Sequence, residues 1–202
     1  MRVLRRIAGF DVAGMVSLAL WVTRRRHGVP PGALAVSYSR AQSATMVLLL
    51  VIMAVEVVVV EVLLRAYDVS AAIRVPILFI DLYGLLVGFA VVAACVTRPH
   101  VVTGRELRIR YGAFFDLRVP RELIASVRTV RSFNESGMIA VDGERLTVVV
   151  ASQVNVVVEL SEPVTAVRPL GAEVRVSAVR FFADEPGPLV AALRSAENGL
   201  VR

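Results

Sequence analysis

The chain has 202 residues, enough for one or two small domains, and 56% of them are hydrophobic. Mean hydropathy is +0.69, whereas soluble domains are only about half apolar, so the composition argues against an ordinary soluble fold and for membrane segments. All 23 basic residues are arginine, and the net charge is +6. An all-arginine complement suits the coding bias of a GC-rich bacterial genome. The single cysteine, Cys95, excludes an internal disulfide and a multi-cysteine metal site.

The charge is unevenly spread. Residues 1–40 hold seven arginines against Asp11, a balance of +6, while the segment from His100 onward holds thirteen arginines against twelve acids, a balance of +1. A basic excess beside apolar runs points to anionic lipid headgroups as counter-ions and away from nucleic acid.

Along the chain, Ile7–Val22 is the first apolar run. It has 16 residues, contains Asp11 and is flanked by arginine on both sides. That is short for a membrane span. A secretory signal needs a small-residue cleavage site after such a run, and Arg24-Arg25-Arg26 stands there instead. The expectation is an interfacial helix whose arginines, Arg24, Arg25 and Arg26 among them, face lipid phosphates; a third span is the alternative. His27-Gly-Val-Pro-Pro-Gly32 cannot continue a helix and reads as a stiff connector.

Ala44–Leu64 and Pro76–Val96 are each 21 residues, and as helices they reach about 30 Å, the thickness of the hydrocarbon core. Both are expected to span. The first carries Glu56 and Glu61. Its fourteen Leu, Ile and Val residues contribute roughly −4 to −8 kcal/mol to insertion, against about +3 kcal/mol for a central carboxylate. The run therefore inserts despite its acids. Seven arginines precede the first span, two lie in the loop Arg65–Val75, and Arg98, Arg105, Arg108 and Arg110 follow the second. The positive-inside rule then places both termini in the cytoplasm of a multi-pass inner-membrane protein.

The intramembrane polar residues are Glu56, Glu61, Asp81 and Tyr83. Glu56 and Glu61 point about 140° apart on a helix, so they form no carboxylate pair. Glu61 lies four residues before Arg65, a spacing that allows an ion pair. Glu56 has only apolar neighbours on its own helix (Ile52, Met53, Val59 and Val60) and needs either protonation or a partner from the second span. At its depth that span carries Tyr83 and Gly84. Gly84 and Gly88 form a G-x-x-x-G that permits close helix packing. The expected arrangement inserts Glu56 at Gly84, bonded to the Tyr83 hydroxyl. A proton or ion relay through Glu56, Glu61 and Asp81 is the sharper alternative, and it requires an oligomer or a partner protein.

From about His100 the period changes to two. Leu107, Ile109 and Tyr111 alternate with charged residues, Gly112 turns the chain, and Phe115, Leu117 and Val119 alternate with Asp116 and Arg118. Strands follow over Ile124–Arg131, Leu146–Ala151, Val154–Leu160 and Val174–Ala183, the last with a bulge near Ser177-Ala178; Asp142-Gly143 marks a hairpin. Asp184 is placed to cap a final helix whose apolar face is Leu189, Ala192, Leu193 and Ala196. About seven short strands and this helix suit a small antiparallel barrel plugged by the helix.

Several of these runs resemble a known family. Thr103-Gly-Arg-Glu-Leu-Arg-Ile-Arg-Tyr-Gly112, Leu117-Arg-Val-Pro-Arg-Glu-Leu-Ile124 with Val127, Val156-Val-Val-Glu-Leu160 and Phe182-Ala-Asp-Glu-Pro186 are similar to the strands and closing helix of bacterial pleckstrin-homology-like (PH-like) domains. Arg25 to Arg40, before the first span, resembles actinobacterial integral membrane proteins of unknown function that carry such a domain. The resemblance implies a membrane helical hairpin, with an N-terminal interfacial helix, followed by a small mainly-β PH-like barrel with a C-terminal helix. In lipid-binding relatives, basic residues on the first two strands hold inositol phosphates, and Arg105, Arg108 and Arg110 are similarly placed. They are expected on a solvated or headgroup-facing strand edge.

The organisation expected is 1–43 interfacial helix and connector, 44–98 transmembrane hairpin, and 99–202 cytoplasmic PH-like domain. No catalytic set, cofactor fingerprint or zinc spacing is found: neither His27 nor His100 has a nucleophile or ligand set nearby in sequence. The expected function is non-enzymatic tethering or scaffolding at the inner face of a bacterial membrane, through a protein partner or a second copy, with no nucleic acid and no small-molecule substrate. The alternative is an accessory subunit of a transporter or proton-coupled complex using Glu56.

Overall fold

The computed structural model describes residues 2–195. Helix α1 (Arg2–Val22) is followed by a short strand β1 (Leu34–Val36) and two long helices, α2 (Arg40–Ala66) and α3 (Ala71–Thr97). The β-structure then comprises β2 (His100–Val102), β3 (Glu106–Tyr111), β4 (Phe115–Pro120), a 3-10 turn at Arg121–Leu123, β5 (Ile124–Ser132), β6 (Ile139–Asp142), β7 (Arg145–Val148), β8 (Val154–Val167) and β9 (Glu173–Phe181). Helix α4 (Pro186–Arg194) closes it; Ala196, expected on its apolar face, lies outside the described residues.

Helices α2 and α3 are the two helices, among the described residues, long and apolar enough to cross a membrane. Only 6% and 17% of their most apolar stretches are buried. The core helix of a soluble protein would be mostly covered, whereas here Val47, Leu48, Val55, Phe79 and Ile80 all face outward. The two helices pair through Gly88, where an added Cβ would lie 3.0 Å from Leu50 and 3.4 Å from the Met53 sulfur. Gly84 has open space beside it. The link between the helices is shorter than expected, because α3 starts at Ala71 and takes Pro76 into its second turn.

Helix α1 is longer than the 16-residue expectation, starting at Arg2. It packs on the second half of α3. Gly14 meets Ala90, with 3.1 Å between an added Cβ and the Ala90 Cβ. Arg98 donates from Nε to Ser17 Oγ (3.0 Å) and from Nη2 to the Ala13 carbonyl (3.2 Å).

The β-structure is two sheets. One has the order β1-β2-β3-β4, all antiparallel; the other runs β5-β8-β9-β7-β6. Its β7–β9 pair is parallel. The expectation of a purely antiparallel barrel fails there, because β9 inserts between β7 and β8 and runs parallel to β7. Two strands, β1 and β2, were not anticipated; each has three residues and no alternation to read. The irregularity expected near Ser177 is present as a register break in β8 between Glu159 and Val164, opposite Ser177. Pro163 lies within that break and has no N–H to give the ladder.

Leu107, Ile109, Leu117 and Val119 from the first sheet join Leu146, Val148, Val156, Val158, Val179 and Phe181 from the second, with Leu189 and Leu193 of α4, in one core. Asp184 does not cap α4, whose N-cap is Glu185 without a side-chain bond. Its carboxylate accepts the Arg40 N–H at 3.2 Å, so it caps α2, where Ser39 makes no side-chain cap of its own.

His100 is fully enclosed in this core. Its Nε2–H donates to the Phe182 carbonyl (2.9 Å), and its Nδ1 accepts the Arg110 N–H (3.1 Å). That arrangement fixes the neutral ring. Burial pushes the imidazole down to about 4; the bond to Phe182 opposes the shift and the nearby Arg110 charge adds to it. Below pH 6.5 the unfolded chain therefore takes up a proton that the folded one refuses. Stability is full above about pH 6.5 and falls towards pH 4, by on the order of 3 kcal/mol in all. Thermal unfolding in detergent should show this slope, flattened in His100→Gln. At the helix pair, Gly88→Val should weaken packing and lower the melting temperature, while Gly84→Ala should be neutral.

Candidate functional site

Three polar regions stand out. The first is inside the helix pair. Arg65 Nε donates to Glu61 Oε1 at 2.7 Å, at the i,i+4 spacing the sequence predicts, and Arg74 Nε lies 3.2 Å from the same oxygen. Glu61 thus ties the end of α2 to the start of α3. Glu56 lies on the exposed side of α2 and lines a recess of about 220 Å³ with Met53, Val57, Ile80, Asp81 and Gly84. Glu56 and Gly84 line the same recess, but nothing fills the space beside Gly84, so the expected insertion is not made. Nor does the Tyr83 hydroxyl reach Glu56: that hydroxyl donates to Asp11 Oδ2 of α1 (3.4 Å). The helix that displaced the expected partner was not part of the hairpin. Asp81 Oδ2 is buried and has no hydrogen-bond partner.

The second region is the junction between helices and sheets. Only Arg98 and Pro99 separate α3 from β2. The β3–β4 turn is pressed against the helices: the Gly112 N–H donates to the Tyr38 hydroxyl oxygen (2.6 Å), and the Tyr111 hydroxyl donates to Gln42 Oε1 (3.1 Å). Phe114 on the same turn meets Phe10 of α1 edge-on, with ring centroids 5.3 Å apart.

Beside this turn, alternation puts Arg108 and Arg110 on the face of β3 away from the core. Arg108 forms a two-pronged pair with Asp116, Nε to Oδ1 at 2.7 Å and Nη2 to Oδ2. Arg110 departs from the headgroup-facing expectation because the connector covers it. The residue is 1% exposed. Its Nη1 donates to the His27 carbonyl (2.7 Å) and its Nη2 to the Gly28 carbonyl (3.0 Å). Asp116 Oδ1 lies 3.9 Å from Nε. Burial beside Arg108 pushes the Arg110 guanidinium down to about 10, which leaves it charged at neutral pH. Burial, together with the charges of Arg98, Arg110 and Arg108, also lowers the His27 imidazole, against a smaller opposing effect of Asp116. Arg105, by contrast, is exposed.

The third region is a recess of about 460 Å³ at the same end of the hairpin. Trp21, Arg24, Arg25, Arg26, Ser37, Ser39, Arg40, Val96, Thr97 and Pro99 line it. Sequence reasoning found the arginine triplet but not the recess, since its other walls come from two remote segments, Ser37 and Ser39 ahead of α2 and Thr97 at the end of α3. Helix α1 ends with Arg24 in the left-handed region (φ 54°), and the Arg25 N–H reaches back to the Leu20 carbonyl at 2.8 Å. Glycine ordinarily fills that position. The turn carries all three arginines onto the rim. The His27 N–H then bonds the Thr97 carbonyl (2.8 Å), fixing the connector to α3.

A larger recess of about 540 Å³ beside β5 is lined by Thr129–Phe133, Gln153–Asn155, Phe182 and Pro186. Among the described residues no group of three or more His, Cys, Asp or Glu converges to hold a metal ion. No family model, curated protein or solved structure matches the chain.

The junction should be sensitive at Gly28 and tolerant at Gly32. Both have positive φ (58° and 75°), but only at Gly28 would a Cβ meet Arg110 Nη2 and Arg108 Nη1, at 3.0 and 3.2 Å. Gly32→Ala should cost about 1 kcal/mol of backbone strain. Gly28→Ala should cost roughly 2 kcal/mol more, matching Arg110→Met, because each disrupts the charged hydrogen bonds. Thermal unfolding, with limited proteolysis of the connector, would read both.

Proposed function

We propose that the chain is a membrane-anchored, non-enzymatic scaffold that holds a small β domain in a fixed pose at the inner face of a bacterial membrane for tethering or protein interaction. The observation that carries this reading is the clamped junction. Arg110, in the third strand of the β domain, is bonded to the connector between the first two helices. A domain hung on a flexible linker would have no use for a buried guanidinium there. Confinement to a surface raises encounter with a partner without tight intrinsic binding, and a fixed pose adds orientation to that gain.

The PH-like assignment belongs to the same reading. Two sheets with a terminal helix, and β3 and β4 carrying the Arg-Tyr-Gly turn, support it. An interfacial α1 is supported by its contacts. Near its start, Arg6 donates to the Arg168 and Pro169 carbonyls of the β8–β9 loop (both 3.3 Å), and just beyond its end His27 is bonded to Thr97 at the base of α3. Both ends therefore meet the side on which the β domain sits. The second reading, an accessory subunit of a transporter or proton-coupled complex, draws on Glu56 and Asp81 lining one recess.

Sidedness tests the proposal. With Cys95 replaced by alanine, Asp68→Cys in the α2–α3 link should react with a membrane-impermeant thiol reagent in intact cells. Glu144→Cys, in the β6–β7 turn, should react only after lysis. The reverse pattern, or labelling of both in intact cells, would refute the scaffold at the inner face.

A further inference from the structure

We propose that the recess under Trp21 is a binding site for a single phosphate group, presented by the headgroup of an anionic phospholipid. The inference rests on the membrane-spanning reading of α2 and α3 and deepens it by naming the ligand. Four arginines line the recess, and their surroundings differ. Arg40 is already paired with Glu185 at 3.2 Å. Among the described residues, Arg24, Arg25 and Arg26 have no carboxylate within ion-pair distance. Three like charges on consecutive residues repel one another, and an anion between them removes that repulsion. Guanidinium groups suit phosphate oxygens because each offers two parallel donors.

The remaining walls fit the same ligand. Ser37 and Ser39 bring hydroxyls; the N-terminus of α2 beside them is already capped by the Asp184 carboxylate and is not part of the site. Trp21 and Val96, 40% and 42% exposed, form an apolar wall continuous with the outward faces of α1 and α3, along which acyl chains would run. A tryptophan beside a cluster of cations is the usual dressing of a membrane–water boundary. The cavity thus joins a polar floor, a cationic rim and an apolar side. A zwitterionic choline headgroup would bring its own cation against the arginines, so phosphatidylglycerol should be preferred over phosphatidylcholine.

Trp21 is the only tryptophan of the chain, so its fluorescence reports on this recess alone. The full-length protein would be placed in phosphatidylcholine nanodiscs with increasing phosphatidylglycerol, and Trp21 emission followed. Lipid retained after delipidation would be counted by native mass spectrometry. The expected result is a saturable emission shift with one phosphatidylglycerol retained per chain. Arg25→Gln with Arg26→Gln should weaken this by on the order of tenfold or more. Those side chains make no hydrogen bond among the described residues, so the fold should survive their loss. Arg118→Gln with Arg145→Gln, exposed elsewhere, should change nothing.

Equal retention by the Arg25/Arg26 variant, or equal retention of the two lipids, overturns the site. If inorganic phosphate in pure phosphatidylcholine nanodiscs reproduces the shift, the ligand is a soluble phosphate and the lipid assignment falls. Incorporation into nanodiscs reads the spanning helices separately: a chain that inserts without the shift loses only the headgroup site.

Discussion

Burying one guanidinium organises much of this molecule. Strand alternation places Arg110 on the face of β3 opposite Ile109 and Tyr111, where solvent would ordinarily receive it. The connector covers it instead, and a buried charge without acceptors is too costly to persist. The carbonyls of His27 and Gly28 answer that demand at Nη1 and Nη2, while the buried Nε has only the Asp116 carboxylate at 3.9 Å. They are available only because the chain leaves α1 through a left-handed turn and because Gly28 has no Cβ to block Nη2. Once the connector is fixed, Leu34–Val36 falls into register with His100–Val102. The first sheet therefore includes a strand from the segment ahead of the helix pair, and cutting the chain at His100 would remove its edge.

The same constraint passes upward into the helices. The Arg110 backbone N–H holds His100 in one tautomer, and His100 is stacked against Tyr38 (4.7 Å between ring centroids) and set edge-on to Phe181. Tyr38 receives the Gly112 N–H, and Tyr111 reaches Gln42 on the first turns of α2. A line of buried polar contacts thus runs from the second sheet, through β2 and β3, into the base of both long helices. Such a network has little freedom to yield in part, because each lost bond leaves a buried group unmatched. The helix pair and the β domain are held in one relative pose by that line of contacts, beside apolar packing that brings Cys95 of α3 and Met46 of α2 onto the β core.

What the sequence disclosed follows from which interactions are local. The two long helices were legible because a run of Val, Leu and Ile states its own length. The β3–β4 hairpin was legible because its alternation and Gly112 lie within a dozen residues. The Glu61–Arg65 pair was legible because four residues on a helix are neighbours by construction. Failures came where a partner is remote in the chain. Asp184 has the form of a cap for α4 but reaches Arg40, 144 residues away. Tyr83 meets Asp11 on a helix that period and length alone did not dock anywhere. Strand β9 chooses β7 and β8 together, a pairing that no turn signal encodes. Arg110 has the alternation of a solvent-facing residue, and only the fold of the connector reverses that reading.

The use of arginine throughout has a physical consequence at this junction. A lysine at position 110 would bring one ammonium with strong hydration and no fixed geometry. The guanidinium spreads its donors over a plane, so two carbonyls from successive residues can each take one without competing. Arg98 uses the same property to bridge a serine hydroxyl and a carbonyl on α1, one turn apart. Arg121 uses it again at the far end of the domain, donating to the Ala192 and Leu193 carbonyls at the C-terminal end of α4. In each case one side chain satisfies backbone or hydroxyl groups on a different element, and in each case the element held is a helix or a loop that has no sheet ladder to fix it. The arginines of Arg24-Arg25-Arg26 are set apart from these by having no such neighbour. Among the described residues no carboxylate pairs with their charge, and that separates the anchoring arginines from these three.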